Sequence, residues 1–330
     1  MKILYLSVHG ILEYDEVKLF HELGYDIFSA GSYAFPKWRH GMPRPGIDGL
    51  THYEELERLA STIMSSGGNI PQELIDWADT VIFMHQPEII EKNWPKLHGK
   101  RVIFRSIGQC VGAQESILAN LRNQGLQIVR YSPKEVKIPG YAGADATIRF
   151  YKDPDIYKGY TGEMPTLINM TQSITQRAEY VQKNEILRVM NGLNHTIYGI
   201  SNEDIAGGGE LTYSEQIRQY QVNRAYVYGG TWPAPYTLSF IEAMMTGIPI
   251  IAVGNRHVEK DRGLSFYEIE DIINDGQNGF VSNNLEDLRD AAKYLVDNRL
   301  EAIRIGALGR QRAIDLFGRD NIAKQWEAFL

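Results

Sequence analysis

Short apolar runs alternate with segments of helical period along this 330-residue chain. Residues 3–8, 25–29, 80–84, 102–105, 127–131 and 147–151 are of strand length and read as strands. Between them, residues 15–23 and 114–123 repeat their apolar side chains at helical spacing and stop at Gly24 and Gly125, where a helix can end. Strands alternating with helices predict a parallel sheet covered on both faces.

Residues 153–165, with two Pro and two Gly, interrupt this pattern and read as a linker. The alternation then restarts, with strands predicted at 166–170, 196–199, 225–228 and 248–253 and helices at 177–191 and 214–223. The chain is therefore expected to be α/β, with two similar domains facing each other across a cleft. The boundaries fall at 1–157 and 158–317. Residues 318–330 form a last helix whose Ile322, Trp326 and Phe329 stripe needs a cover, and packing at the domain junction would supply it.

Composition fits this picture. The length exceeds one ordinary core and favours two domains of roughly 150 residues, and 43% hydrophobic with 23% charged residues is globular. Net charge is −7, yet the span from Lys92 to Lys158 holds twelve Lys/Arg against five Asp/Glu. That span either attracts an anionic partner or is the solvated face of several elements. A single cysteine, Cys110, excludes an internal disulfide and points to a reducing compartment. Residues 1–8 are too short an apolar run for a signal peptide, and the acids Glu13, Asp15 and Glu16 follow. The uncharged stretch 225–241 is broken by Gly229, Gly230, Pro233 and Pro235, which argues against a membrane span. The expectation is a cytoplasmic protein, with peripheral attachment to a membrane left open.

Candidate chemistry concentrates in YVYGGTWPAPYTLSFIEAMMTGIPIIAVG, residues 226–254. Two apolar strands flank an apolar helix whose only charge is Glu242. Ligands of open α/β sheets bind beyond the carboxyl ends of the strands, where helix N-termini present unpaired N–H groups. Gly229, Gly230 and Thr231 begin the connecting loop. The glycines allow close approach, while Pro233 and Pro235 hold the backbone extended. The amides of Tyr236, Thr237 and Leu238 then suit phosphate oxygens, and Glu242, one turn deeper, suits a vicinal diol such as a ribose. A buried helix with its acid bonded to backbone is the equally weighted alternative.

The stretch from Ser214 to Gly254, followed by Asp275-Gly276-Gln277-Asn278-Gly279-Phe280-Val281, resembles the carboxyl-terminal domain of GT-B glycosyltransferases, specifically the retaining family-4 type. That family shows Glu-Gly-Phe-Gly-Leu, three residues, then Glu-Ala-Met-Ala-x-Gly-x-Pro. Here the stretch is Ala234-Pro235-Tyr236-Thr237-Leu238, three residues, then Glu242-Ala243-Met244-Met245-Thr246-Gly247-Ile248-Pro249. The resemblance implies two Rossmann-like domains and places Glu242 on the ribose of a sugar nucleotide. It places Tyr236, Thr237 and Leu238 on the diphosphate. The family's other acid, which contacts the donor sugar, is Ala234 here, and Glu210, Glu203 or Asp204 are candidates to replace it. Arg177, with Lys183 behind it, is the expected cation for the leaving diphosphate, although the family's usual spacing is absent.

In the first half, "FMHQP" resembles the family's strand-end His-Glu-Pro, making His85 a catalytic candidate or else a structural histidine. Arg105 and Gln109 of "RSIGQ", and His9 of the first loop, are acceptor-side candidates. Arg105 could equally pair with a surface acid. The resemblance implies transfer from a UDP- or GDP-sugar to a glycan, lipid-linked or other hydroxyl acceptor, with retention and without a metal or prosthetic group. Nucleic acid ranks lower as an acceptor. Asp153-Pro154-Asp155 is a weaker metal-binding alternative. A GT-B epimerase acting on the nucleotide sugar, and a nucleotide-sugar-binding protein without turnover, are the competing readings.

Overall fold

The computed structural model describes residues 1–31, 44–108, 112–205, 207–260, 263 and 266–330. The chain divides into two compact units, Met1–Tyr151 with Ile322–Leu330, and Lys152–Asn321.

Unit 1 begins with β1 (Lys2–Leu6), α1 (Gly10–Glu22) and β2 (Asp26–Ser29). After α2 (Glu54–Ala60), α3 (Thr62–Ser65) and α4 (Gln72–Trp77) come β3 (Thr80–Met84), α5 (Pro87–Asn93), β4 (Arg101–Arg105), α6 (Gly112–Arg122), β5 (Gln127–Arg130) and β6 (Ala146–Thr147). The six strands lie in the order β2-β1-β3-β4-β5-β6, and every pairing is parallel. Their central positions are apolar, with polar residues at the strand ends, and Thr80–Met84 is buried at every position.

The predicted strand at 147–151 is mostly irregular. Only Ala146 and Thr147 pair with β5, and beyond them Phe150 stacks on Tyr131 with ring centroids 4.3 Å apart. The apolar run there fills core rather than extending the sheet. Ile322–Leu330 completes unit 1. Trp326 is fully buried and meets Phe20 edge-on at 5.0 Å, while Arg101 donates to the carbonyls of Phe329 and Leu330.

Unit 2 runs β7 (Met164–Met170), α7 (Ala178–Val181), α8 (Lys183–Met190), β8 (His195–Tyr198), α9 (Tyr213–Val222), β9 (Asn223–Tyr228), α10 (Leu238–Thr246) and β10 (Ile250–Val253). It continues with α11 (Asn255–Glu259), α12 (Ile269–Ile272), β11 (Phe280–Ser282), α13 (Leu285–Asp297) and α14 (Arg299–Phe317). α15 (Arg319–Phe329) starts here and carries the chain into unit 1. Five parallel strands lie in the order β11-β10-β9-β7-β8.

The single helix predicted at 177–191 is two, because Gln182 adopts φ 58°, ψ 46° between α7 and α8. α10 is buried from Phe240 to Thr246, as expected of a helix apolar on every side. It ends at Gly247, whose φ of 99° is left-handed. α14 crosses close by at Gly306, where a Cβ would stand 1.9 Å from the Gly247 carbonyl oxygen, so only glycine fits this approach.

Candidate functional site

Parallel strands that leave a sheet in opposite directions open a crevice at the point of reversal. In unit 2 the chain leaves β7 toward β8 on one side and returns to β9 on the other, so this point lies between β7 and β9. Arg177 and Lys183 follow β7, and Gly230, Thr231, Tyr236, Thr237 and Leu238 follow β9. These candidates therefore all lie in segments that leave the carboxyl ends of two adjacent strands of one sheet.

Arg177 precedes α7 and is half-buried, and its Nη1 donates to Gln172 O at 3.5 Å. Burial alone holds the guanidinium below its ordinary pKa, with no acid among the described residues offsetting it. The group remains a cation. Lys183 opens α8, and its Nζ donates to Thr175 Oγ1 at 2.6 Å. Two positive charges thus stand beside the crevice, bonded to neutral oxygens.

The loop after β9 is tightly held. A Cβ on Gly229 would lie 2.4 Å from Val181 O, and Gly230 has φ 79°. Thr231 and Ala234 form an antiparallel bridge, with Ala234 N donating to Thr231 O at 2.7 Å. Pro235 O accepts from Glu268 N at 3.0 Å. The Tyr236 ring is buried against Phe317, with centroids 5.3 Å apart, so its side chain anchors the loop. Thr237 is the N-cap of α10 in extended geometry, yet its hydroxyl meets Ser239 Oγ at 3.0 Å and caps no amide. Among the described residues the N-cap side chain thus gives no bond to the first turn of α10, at the positive end of a helix nine residues long.

Glu242 departs from the expectation of an acid open to a ribose. Its residue is 2% exposed. Oε1 accepts from Lys152 Nζ at 2.6 Å and from Tyr157 Oη at 3.1 Å, and Oε2 accepts from Gln216 Nε2 at 2.7 Å. Lys152 is itself fully buried. A buried carboxylate requires such compensation, and a diol would bond here only in competition with these donors. Lys152, Tyr157 and Gln216 were not among the sequence candidates, and separations of 90, 85 and 26 residues explain why.

Glu210 is exposed and follows Gly209, whose carbonyl accepts from Gly199 N at 2.9 Å beside the end of β8. Asp204 is exposed as well. In the Asp153-Pro154-Asp155 tripeptide, Asp153 Oδ1 accepts from Asp155 N at 2.9 Å and Asp155 pairs with Lys158 at 3.1 Å, so both carboxylates serve local structure.

Unit 1 has its own point of reversal, between β1 and β3. His9 and His85 follow those two strands, whose ends meet where Ser7 Oγ lies 3.2 Å from Met84 Sδ. His9 is the N-cap of α1, its ring Nδ1 accepting from Leu12 N at 3.5 Å. His85 and Gln86 are consecutive left-handed residues, φ 65° and 57°. Conformations of this kind cost about 1–3 kcal/mol each and collect at functional sites. His85 N donates to Arg105 O at 3.0 Å, and its buried Nδ1 has no hydrogen-bond partner among the described residues. Burial pushes the imidazole below its ordinary pKa of 6.5, with Glu88 opposing more weakly.

Arg105 does not face a ligand. It is fully buried, 2.8 Å from Glu16 Oε1, and donates to the carbonyls of Ile148 at 2.6 Å and Arg149 at 3.2 Å. Gln109, the remaining acceptor-side candidate, lies outside the described residues. Much of the basic span is likewise spent internally. Lys92, Lys96, Lys100 and Arg122 donate to backbone carbonyls, and Arg130 makes a buried two-pronged pair with Glu115 at 2.8 and 2.7 Å.

Two parallel α/β sheets with these reversal points define the GT-B fold, and solved structures agree. Sucrose-phosphate synthase from Thermosynechococcus elongatus matches with a TM-score of 0.69 at 12% identity, covering 100% of this chain and 98% of that one. HepE of Anabaena in complex with UDP and glucose matches with a TM-score of 0.68 at 12% identity, covering 100% and 99%. The catalytic domain of starch synthase IV from Arabidopsis thaliana, bound to ADP and acarbose, matches with a TM-score of 0.61 at 10% identity, covering 99% and 98%. No family model matches the chain, and no curated protein matches it in sequence.

Proposed function

We propose that the protein is a glycosyltransferase that moves a sugar from a nucleotide-sugar donor to an acceptor hydroxyl. What supports this reading is that Arg177, Lys183 and the first turn of α10 all lie in the segments leaving the two strands of the β7/β9 reversal point. Amides of the α10 tip, beginning at Thr237 and Leu238, bind the donor diphosphate. Gly230 and Thr231 let the backbone approach it. Arg177 and Lys183 face the charge that develops as the diphosphate leaves, where electrostatic stabilisation acts.

Unit 1 binds the acceptor through His9 and the strained His85 segment. The acceptor oxygen bonds to the anomeric carbon as the bond from that carbon to the phosphate oxygen breaks. The phosphate departs with the electron pair and takes up the acceptor's proton on its own oxygen. This same-face displacement retains configuration and uses the two side-chain cations in place of a metal. Glu242 holds α10 in place through Lys152, and Glu210 is the acid available to the donor sugar. The helices of the described residues include none long and apolar enough to cross a membrane.

Incubation of the protein with uridine, guanosine and adenosine sugar nucleotides, with and without hydroxyl acceptors, tests the reading. Nucleotide release that depends on an acceptor is expected. Product formed without any acceptor, or no turnover with any donor and acceptor, would refute it.

A further inference from the structure

Two large aromatic residues, Tyr180 and Trp232, lie in the segments that carry Arg177 and the α10 tip, and no role assigned above uses them. Tyr180 lies on α7, its amide donating to Arg177 O at 2.8 Å. Trp232 stands with Pro233 at the apex of the turn closed by the Thr231–Ala234 bridge. The Trp232 amide donates to Tyr180 O at 2.8 Å, which ties the turn after β9 to the segment after β7 across the reversal point. The two rings lie 6.3 Å apart, inclined by 31°. Tyr180 is 49% exposed, and Trp232 is partly so.

We propose that Tyr180 and Trp232 form a stacking platform for the flat ring carried by the phosphorylated ligand held at Arg177. The inference rests on the nucleotide-sugar reading and adds specificity-determining residues to it. The backbone bond between them holds the two residues side by side, and each ring packs on the other. Both residues are short chain distances from the anion seat: Tyr180 follows Arg177 by three residues, and Trp232 precedes the Thr237 N-cap by five. A pyranose joined directly to a phosphate at the seat reaches such a platform without a spacer, and a nucleobase reaches it across its ribose. A nucleobase and a pyranose both present a flat face of that kind, and stacking on an aromatic side chain tolerates either.

The test is calorimetric titration of the full chain and of Tyr180→Ala with UDP, GDP and ADP, their glucose conjugates, and glucose 1-phosphate. Tyr180 is half-exposed, so its truncation leaves the fold intact, which a thermal melt verifies. Tyr180→Ala is expected to weaken binding of the preferred nucleotide by roughly five- to hundredfold, with affinity restored in Tyr180→Phe. Loss seen with the nucleoside diphosphate assigns the platform to the base. Loss confined to glucose 1-phosphate and the conjugates assigns it to the sugar. Undiminished affinity in Tyr180→Ala, alongside firm binding by the parent protein, overturns the platform and leaves the transferase reading standing. Binding of none of these ligands by the parent protein removes both.

Discussion

Replacing Glu242 by Ala takes the carboxylate away from the buried ammonium of Lys152 and from the Tyr157 hydroxyl and Gln216 amide. The magnitude follows from the environment. At 0% and 2% side-chain exposure neither charge has water to fall back on, and breaking a buried pair on one side costs about 3–5 kcal/mol. For a folding unit of this size, each kcal/mol lowers the melting temperature by about 2–4 °C. Glu242→Ala is therefore expected to lower it by roughly 6–20 °C. Replacing both partners with apolar residues of similar volume, Lys152→Met with Glu242→Leu, should recover most of that loss, since a buried pair is often no more stable than a packed apolar substitute. Thermal and urea unfolding of the single and double variants measure this. If Glu242→Ala melts within a degree or two of the parent yet loses donor affinity, the carboxylate serves a ligand and the structural assignment is refuted.

Three further outcomes are expected. His85 has its pKa depressed by burial, so its contribution to stability is complete above the ordinary value of 6.5 and is lost as pH falls through the lower folded value. The difference in unfolding free energy between the parent and His85→Gln should therefore shrink with acidification below pH 6.5, and a pH-independent difference would contradict the buried neutral imidazole. Arg105→Met should destabilise by about 3–5 kcal/mol by exposing Glu16 to an apolar neighbour, and a urea midpoint equal to the parent's would place that guanidinium outside the core. On the proposed mechanism, in which Arg177 and Lys183 supply the positive charge, transferase turnover should persist in a chelator; loss of turnover reversed by Mn²⁺ would show that a metal supplies it instead.

The parallel architecture was legible because strands such as Thr80–Met84 are apolar beyond their first residue and stop at helical segments. The region of the crevice was legible too, since the Gly-Gly and Pro-x-Pro signals fall where β9 gives way to α10. Local patterns carry both features. What they do not carry is the partner of a buried charge: Lys152 sits between the predicted strand at 147–151 and the linker that begins at 153, and nothing near it in the chain announces Glu242. The same holds for Arg105, whose acid lies on α1, and for the basic span, where chain-distant carbonyls absorb cations that look available in one dimension. Gln182 marks another limit, because a left-handed non-glycine residue that splits a helix is dictated by packing around it, with no glycine to signal the break.

The central claim is that the β7/β9 crevice of unit 2 seats a diphosphate. Calorimetry of a nucleoside diphosphate against the full chain and an Arg177→Met/Lys183→Met variant tests it most directly. Charge-assisted hydrogen bonds are worth about 1.5–3 kcal/mol each, so the account predicts one saturable site in the parent, weakened by roughly a hundredfold or more in a variant that melts normally. Equal affinity in the two proteins, or no binding by the parent to any of the uridine, guanosine and adenosine diphosphates, would contradict it.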